Sequence, residues 1–259
     1  MSISTTPLPG TAADPLYPDS DGKPMGETEW HVIAIFELYG ALRRHFRGRR
    51  DIHVAADMFL YYEQGNPRAC KAPDVMVSKG VRGNHMRRSF RVWEEQAVPT
   101  TVFEVTLKKS RREDATGKPQ AYAQAGVVEY FIFDPLDEYL RPRLQGFRLG
   151  PNGYEPLIAD EGRLLSQELG LHLAPEGALL RLIDASTGVA LPNLDELENQ
   201  AAEKIEAARA MKLAKRDVEK ANERAAAESR RAEAEGRRAA ALEEELKRLR
   251  QERGTINPG

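Results

Sequence analysis

Two carboxylates set against apolar strands are the places where this 259-residue chain could do chemistry. Asp74 stands in "APDVMVSKG", between Pro73 and a Val75–Val77 run that reads as a short buried strand. A carboxylate at the mouth of such a strand must find donors or face something positive, because an unpaired buried charge is costly. Glu104 stands in "FEVTLKK". The alternation of a strand puts Glu104, Thr106 and Lys108 on one face and Phe103, Val105 and Leu107 on the other. Two carboxylates from adjacent strand ends, completed by backbone carbonyls and water, make a hard-oxygen site. Mg²⁺ prefers that environment, with few protein ligands and several retained waters. A nearby lysine can orient or activate a water and stabilise charge developing on phosphorus. Together these parts amount to metal-assisted phosphodiester hydrolysis. Strand-end Asp and Glu also serve as caps and surface charges, and residue type and spacing leave both readings open.

A sheet has to bring these residues together, and its strands are legible. From Thr28 to Arg47, apolar residues at 30, 33, 34, 38, 41, 42 and 46 follow helical spacing, with Thr28 as N-cap and Gly48 as stop. "DIHVAADMFLYY" (51–62) reads as a strand and "DVMV" (74–77) as a second. "TTVFEVTLKK" (100–109), rich in β-branched residues, is a third. "VVEYFIFDP" (127–135) is a fourth, apolar enough to be buried on both faces. Between the last two lies a helix that starts late, because Pro119 suits a first turn, and ends at Gly126. A helix between two strands implies a parallel crossover. Hairpin signals follow at "GPNG" and "ASTG". The expected class is α/β (α+β): a mixed sheet flanked by helices.

Composition divides the chain. Residues 194–253 hold 15 Ala, 15 Lys or Arg and 15 Asp or Glu, with no Pro and only Gly236 as glycine, which predicts one long helix. Its heptad is interrupted by Lys204 and Lys215, so a solvated helix and a weak coiled coil are both expected. The expected organisation is a disordered arm over 1–26, a sheet domain over 27–192, the charged helix over 193–253 and a disordered tail over 254–259. A net charge of −2 creates no global pull on nucleic acid, although local basic clusters remain. Cys70 is the lone cysteine, which excludes a disulfide framework and a thiolate metal cage. The N-terminal stretch lacks an apolar signal segment, and nowhere do 18 apolar residues run together. A soluble, cytoplasmic protein without a membrane partner is expected.

The ordered string "PDVMV", "FEVTLKKSRRED" and "GKPQAYAQAGVVEYFIFDP", continued by "LQGFRLGPNGYEPL" and "SQELGLHL", resembles the Uma-type putative restriction endonuclease family. That family is similar to the PD-(D/E)xK nuclease superfamily, and the likeness covers roughly residues 28–185. It implies a restriction-endonuclease-like sheet, a Mg²⁺ (or Mn²⁺) cofactor, and nucleic acid, DNA foremost, as substrate. Asp74 would be the motif aspartate and Glu104 the second acidic ligand. Lys118, four residues before Tyr122, would be the family's lysine, which lies in the helix after the strand. Thr106 stands where the superfamily's ExK places lysine, and Lys108 is a second candidate on Glu104's face. His31 matches a histidine of the family's first helix, in a structural place or at a phosphate.

Other residues carry weaker expectations. Asp57 in "VAADMFLYY" is a candidate for the same pocket. Asp114 is expected to cap the following helix rather than bind metal, Asp134 to close a turn, and Glu37 to form a surface salt bridge, with completion of the acidic cluster as its alternative. Phe90 and Trp93, set among the arginines of 82–91, are expected to pack their segment onto the body, with stacking on a base as the alternative. The basic clusters are Arg43 to Arg50, Arg82 to Arg91 and Lys108 to Arg112; two of them flanking the Asp74–Glu104 mouth would track a phosphate backbone. Two functions follow: a Mg²⁺-dependent endonuclease, or an inactive nuclease-fold binding module. Self-association would run through the nuclease domain or the helical tail.

Overall fold

The computed structural model describes residues 14–20, 28–83, 85–106 and 113–254. The chain forms two compact units, one reaching to Leu194 and one beginning at Asp195. In chain order the first contains α1 (Glu29–His45), β1 (Ile52–Ala56), β2 (Leu60–Tyr61), β3 (Cys70–Lys71), β4 (Val75–Lys79), β5 (Phe90–Arg91), the short α2 (Val92–Glu95) and β6 (Pro99–Val105). A π-helical turn at Glu113–Gly117 leads into α3 (Lys118–Ala125). β7 (Glu129–Phe133), β8 (Leu144–Gly150), β9 (Gly153–Pro156), β10 (Leu164–Ser166), β11 (Leu171–Glu176) and β12 (Leu179–Asp184) complete it.

Six strands form the main sheet in the order β1-β4-β6-β7-β8-β9. β6 and β7 pair in parallel across the α3 crossover, and every other pair is antiparallel. α3 starts at Lys118 with Pro119 in its first turn and stops at Gly126, whose φ of +86° is a left-handed cap that suits glycine. All five residues of β7 are buried, as its apolar run predicts. The fold is thus mixed α+β, with a mixed sheet flanked by helices.

The expectation of one strand over 51–62 is corrected. Asp57 adopts a left-handed conformation at φ +47°, and its N–H is taken by the carbonyls of Pro73 and Asp74, both at 3.1 Å. The chain therefore leaves the main sheet after Ala56, and Leu60–Tyr61 joins a separate small sheet with β3 and β5. The arm expected to be loose over 1–26 also contains a docked piece. Tyr17 is buried; its ring packs 5.1 Å from both Tyr61 and Trp93 and lies under Arg91. Tyr61 donates to the Pro18 carbonyl. Burying a phenol ring is worth a few kcal/mol, enough to hold a short segment.

Alternation along the strands makes two cores. On one face Leu38 and Leu42 of α1 pack with Val54, Val75, Val77, Phe103 and Phe131. The β10–β12 sheet joins this cluster through leucines such as Leu171 and Leu182. On the other face Tyr122 of α3 packs with Met76, Val102, Tyr130 and Ile132. Glu104 shares its strand parity with Val102, so its carboxylate is delivered to the α3 face. Elsewhere the fully buried Glu129 accepts bonds from Ser166 Oγ, the Gln167 N–H and Arg148, which ties β10 to β7.

The second unit is built of α4 from Asp195 on; the helix runs Leu194–Gly254, 61 residues, about 90 Å at 1.5 Å per residue. Every side chain from Glu198 to Arg250 is exposed. Ala, Glu, Lys and Arg sustain such a helix by propensity and by weak i,i+4 pairs such as Glu233–Arg237. Among the described residues no helix is long and apolar enough to cross a membrane.

Candidate active site

β4 and β6 are neighbours with Val75 opposite Phe103, which brings Asp74, just before β4, beside the end of β6. The Val105 N–H donates to Asp74 Oδ2 at 2.6 Å. His31 Nε2, from the first turns of α1, lies 3.5 Å from the same oxygen. His31 is buried, whereas the Asp74 side chain keeps 19% of its surface exposed. Asp74 Oδ1 takes no hydrogen bond among the described residues.

Glu104 is wholly buried. Lys118 Nζ donates to its Oε2 at 2.7 Å, and the Tyr122 hydroxyl donates to its Oε1 at 2.5 Å. Burial pushes the Glu104 carboxyl well above its ordinary range, Asp74's charge adds to that, and Lys118 opposes it. Burial alone would lower the Lys118 ammonium, but the Glu104 and Asp114 carboxylates outweigh it and hold the group charged. Burial, then the Glu104 charge, drive the Tyr122 phenol up, so it stays a donor.

Asp114 departs from its expected role. The N-cap of α3 is Gly117, without a side-chain cap. The buried Asp114 instead accepts from Thr106 Oγ1 at 2.9 Å and forms an ion pair with Lys118 Nζ at 2.8 Å. The Tyr130 hydroxyl donates to its carbonyl at 2.6 Å. Thr106 and Lys118 are therefore joined through one carboxylate, and the ammonium reaches Glu104 from α3. Asp114 and Tyr122 are the members that sequence reasoning missed. A signal existed, because 114, 118 and 122 are spaced i, i+4, i+8, which stacks them on one helical face. The expectation that the helix starts late, at Pro119, left Asp114 outside it.

The remaining candidates fall elsewhere. Asp57 is exposed and meets Asp74 through its backbone N–H. Lys108 lies outside the described residues. Glu37 accepts from the Leu194 N–H, away from the acidic group. Asp134 binds the N–H groups of Leu136, Tyr139 and Leu140 as a turn residue. Phe90 is buried and Trp93 packs on Tyr17.

Among the described residues Lys118 is the ammonium paired with Glu104 and Asp114. The donors present fit Mg²⁺: Asp74 Oδ1 takes no hydrogen bond among the described residues, and that side chain keeps partial solvent access. Each Glu104 oxygen has a second lone pair beyond its hydrogen bond. No group of three or more His, Cys, Asp or Glu side chains forms a metal cage among the described residues.

No curated protein matches the chain. Among solved structures, one from Anabaena variabilis ATCC 29413, described as "a putative nuclease belonging to DUF820", is similar at 12% identity and a TM-score of 0.42, over 57% of this chain and 76% of the other. The sequence profile of the Uma2 family, described as "Putative restriction endonuclease", matches residues 14–180. That span is more than half of the chain, from the docked Tyr17 segment into β12, and the chain belongs to the Uma2 family of putative restriction endonucleases.

Proposed function

We propose that the first unit is a Mg²⁺-dependent endonuclease that hydrolyses phosphodiester bonds of nucleic acid, DNA foremost, in the cytoplasm. Asp74 and Glu104 would hold the cation, and Mn²⁺ suits the same donors. The supporting observation is that Asp74 is held by the Val105 N–H, next in the chain to a buried Glu104 that feels its charge and is itself paired to Lys118. When bound, the ion would polarise a phosphoryl oxygen and lower the pKa of a bound water. Lys118 stays protonated beside two carboxylates, so it serves as a donor to water and to phosphoryl oxygen, not as a base. Asp114 and Glu104 fix its Nζ from two sides, and Thr106 fixes Asp114. His31 and the Val105 N–H set the Asp74 carboxylate.

The test is cleavage of labelled DNA and RNA with Mg²⁺ or Mn²⁺, wild type against Glu104→Ala. Loss of cutting in the variant is expected, and equal cutting by both would remove this site from the mechanism.

A second reading is an inactive binding module, with α4 as an association element. The observation favouring it is that both Glu104 oxygens are already engaged while Thr106 stands at the usual lysine position. Calorimetric titration with Mg²⁺ separates the two. A binding signal that disappears in Asp74→Asn supports the enzyme, and no signal in the wild type supports the module.

A further inference from the structure

A groove of about 590 Å³ runs along β1, the strand that ends the main sheet. Its walls are the C-terminal half of α1 and the 85–87 loop. Five arginines line it: Arg43, Arg44, Arg47, Arg49 and Arg87. His53 and His85 join them, and among the described residues no Asp or Glu lines it. In a chain of net charge −2 such one-signed concentration is local. Two of the cations are committed, Arg49 to Asp51 and Arg87 to Glu95. Arg43 and Arg47 are exposed and have no carboxylate partner among the described residues. Arg43 is held by the Tyr39 hydroxyl at 3.2 Å and lies over that ring. His53 is buried on the groove wall, and its Nε2 lacks a hydrogen-bond partner.

Arginines in the last turns of a helix offset its dipole, which accounts for Arg43 and Arg44. It does not account for Arg49, just before β1, and Arg87 of the 85–87 loop lining the same hollow. Phe46, Met58 and Met86 give the groove apolar surface as well. Guanidinium groups beside apolar faces in a concavity suit an unpaired strand, whose phosphates pair with arginine while its bases stack. A duplex would present its phosphates at the rim and leave that apolar surface unused. The direction is also set. The β1 wall reaches Ala56, and the next residue, Asp57, gives its N–H to the Asp74 carbonyl.

We infer that this groove is the track for a single-stranded segment of nucleic acid passing to the Asp74–Glu104 site, an inference that rests on the nuclease reading. At about 3.4 Å per residue, the five residues of β1 span ~17 Å.

The test is binding without divalent cation, in chelator. Anisotropy of a labelled single-stranded DNA of about 20 nucleotides is followed across a salt series, with a duplex of the same sequence as competitor. Arg43→Ala/Arg47→Ala should flatten the log K against log salt slope by about 1.4, two phosphates at ~0.7 each for single strands. The duplex should compete more weakly than the single strand. An unchanged slope in the double arginine variant overturns the groove, as does stronger competition by the duplex. A variant that alters sedimentation but not the slope would make the groove an interface between copies and also overturn the inference. Arginine-dependent binding without cleavage by the wild type would overturn the nuclease reading alone.

Discussion

Lys118→Met removes the ammonium facing the buried Glu104 carboxylate and keeps an unbranched stem of similar length. Glu104 is fully buried and the Lys118 side chain is 14% exposed, so solvent offers little replacement. Breaking a buried pair by deleting one partner costs about 3–5 kcal/mol. The carboxylate can limit that cost by taking up a proton, at ~1.4 kcal/mol for each unit by which solution pH exceeds its folded-state pKa. The sign follows from linkage. The folded-state pKa of Glu104 lies above the unfolded one, so the folded protein binds more protons in that window and stability falls as pH rises through it. Deleting Lys118 raises the folded value further and extends the fall upward. The loss should therefore reach about 3–5 kcal/mol near pH 8 and be smaller near pH 5, where Glu104 holds its proton more readily. Urea unfolding followed by tryptophan fluorescence reads this directly, because both tryptophans, Trp30 and Trp93, lie in the first unit. Glu104→Gln/Lys118→Met should recover part of the loss, because the Glu104 charge is gone while Asp114 keeps only its bond from Thr106. An equal loss at both pH values, or one under about 1 kcal/mol, would refute the pairing argument and assign Lys118 a packing role.

Further outcomes are expected. Tyr122→Phe keeps the ring but removes the donor to Glu104; it should cost about 1–2 kcal/mol in the same unfolding assay. Gly146→Ala would place a Cβ 2.7 Å from the Phe131 ring and 2.9 Å from Leu164 Cδ1, an overpacking worth about 1–3 kcal/mol, and an unchanged urea midpoint would contradict it. Burial, reinforced by Arg87, lowers the His53 imidazole to about 4. Its folded value lies below its unfolded one, so it contributes stability that is lost as pH falls through that window. NMR should show its ring resonances flat above about pH 5.5, and a midpoint near the ordinary value of ~6.5 would contradict the burial argument.

Much of this architecture is local and was readable from the chain alone. β-branched and aromatic runs marked β4, β6 and β7, Pro119 and Gly126 bounded α3, and the helix between β6 and β7 required their parallel pairing. The Ala, Glu, Lys and Arg alphabet likewise determined α4. Strand alternation assigned Glu104 and Thr106 to one face, and the family motif order singled out Lys118. Partner choice between remote elements was decided by tertiary structure. Asp114 serves equally well in sequence as a helix cap or a buried ion-pair partner; its i,i+4 pair with Lys118 is local, but only the packing of α3 on the sheet brings Lys118 to Glu104 and Asp114 to Thr106. Tyr122 reads as an apolar helix residue until its hydroxyl finds Glu104. Asp57 breaks the 51–62 run because its N–H meets carbonyls of Pro73 and Asp74, and Tyr17 docks because Tyr61 and Trp93 are there to receive it. Propensity and periodicity act over a few neighbouring residues, whereas a buried charge takes its state from whatever the fold places within a few ångströms of it.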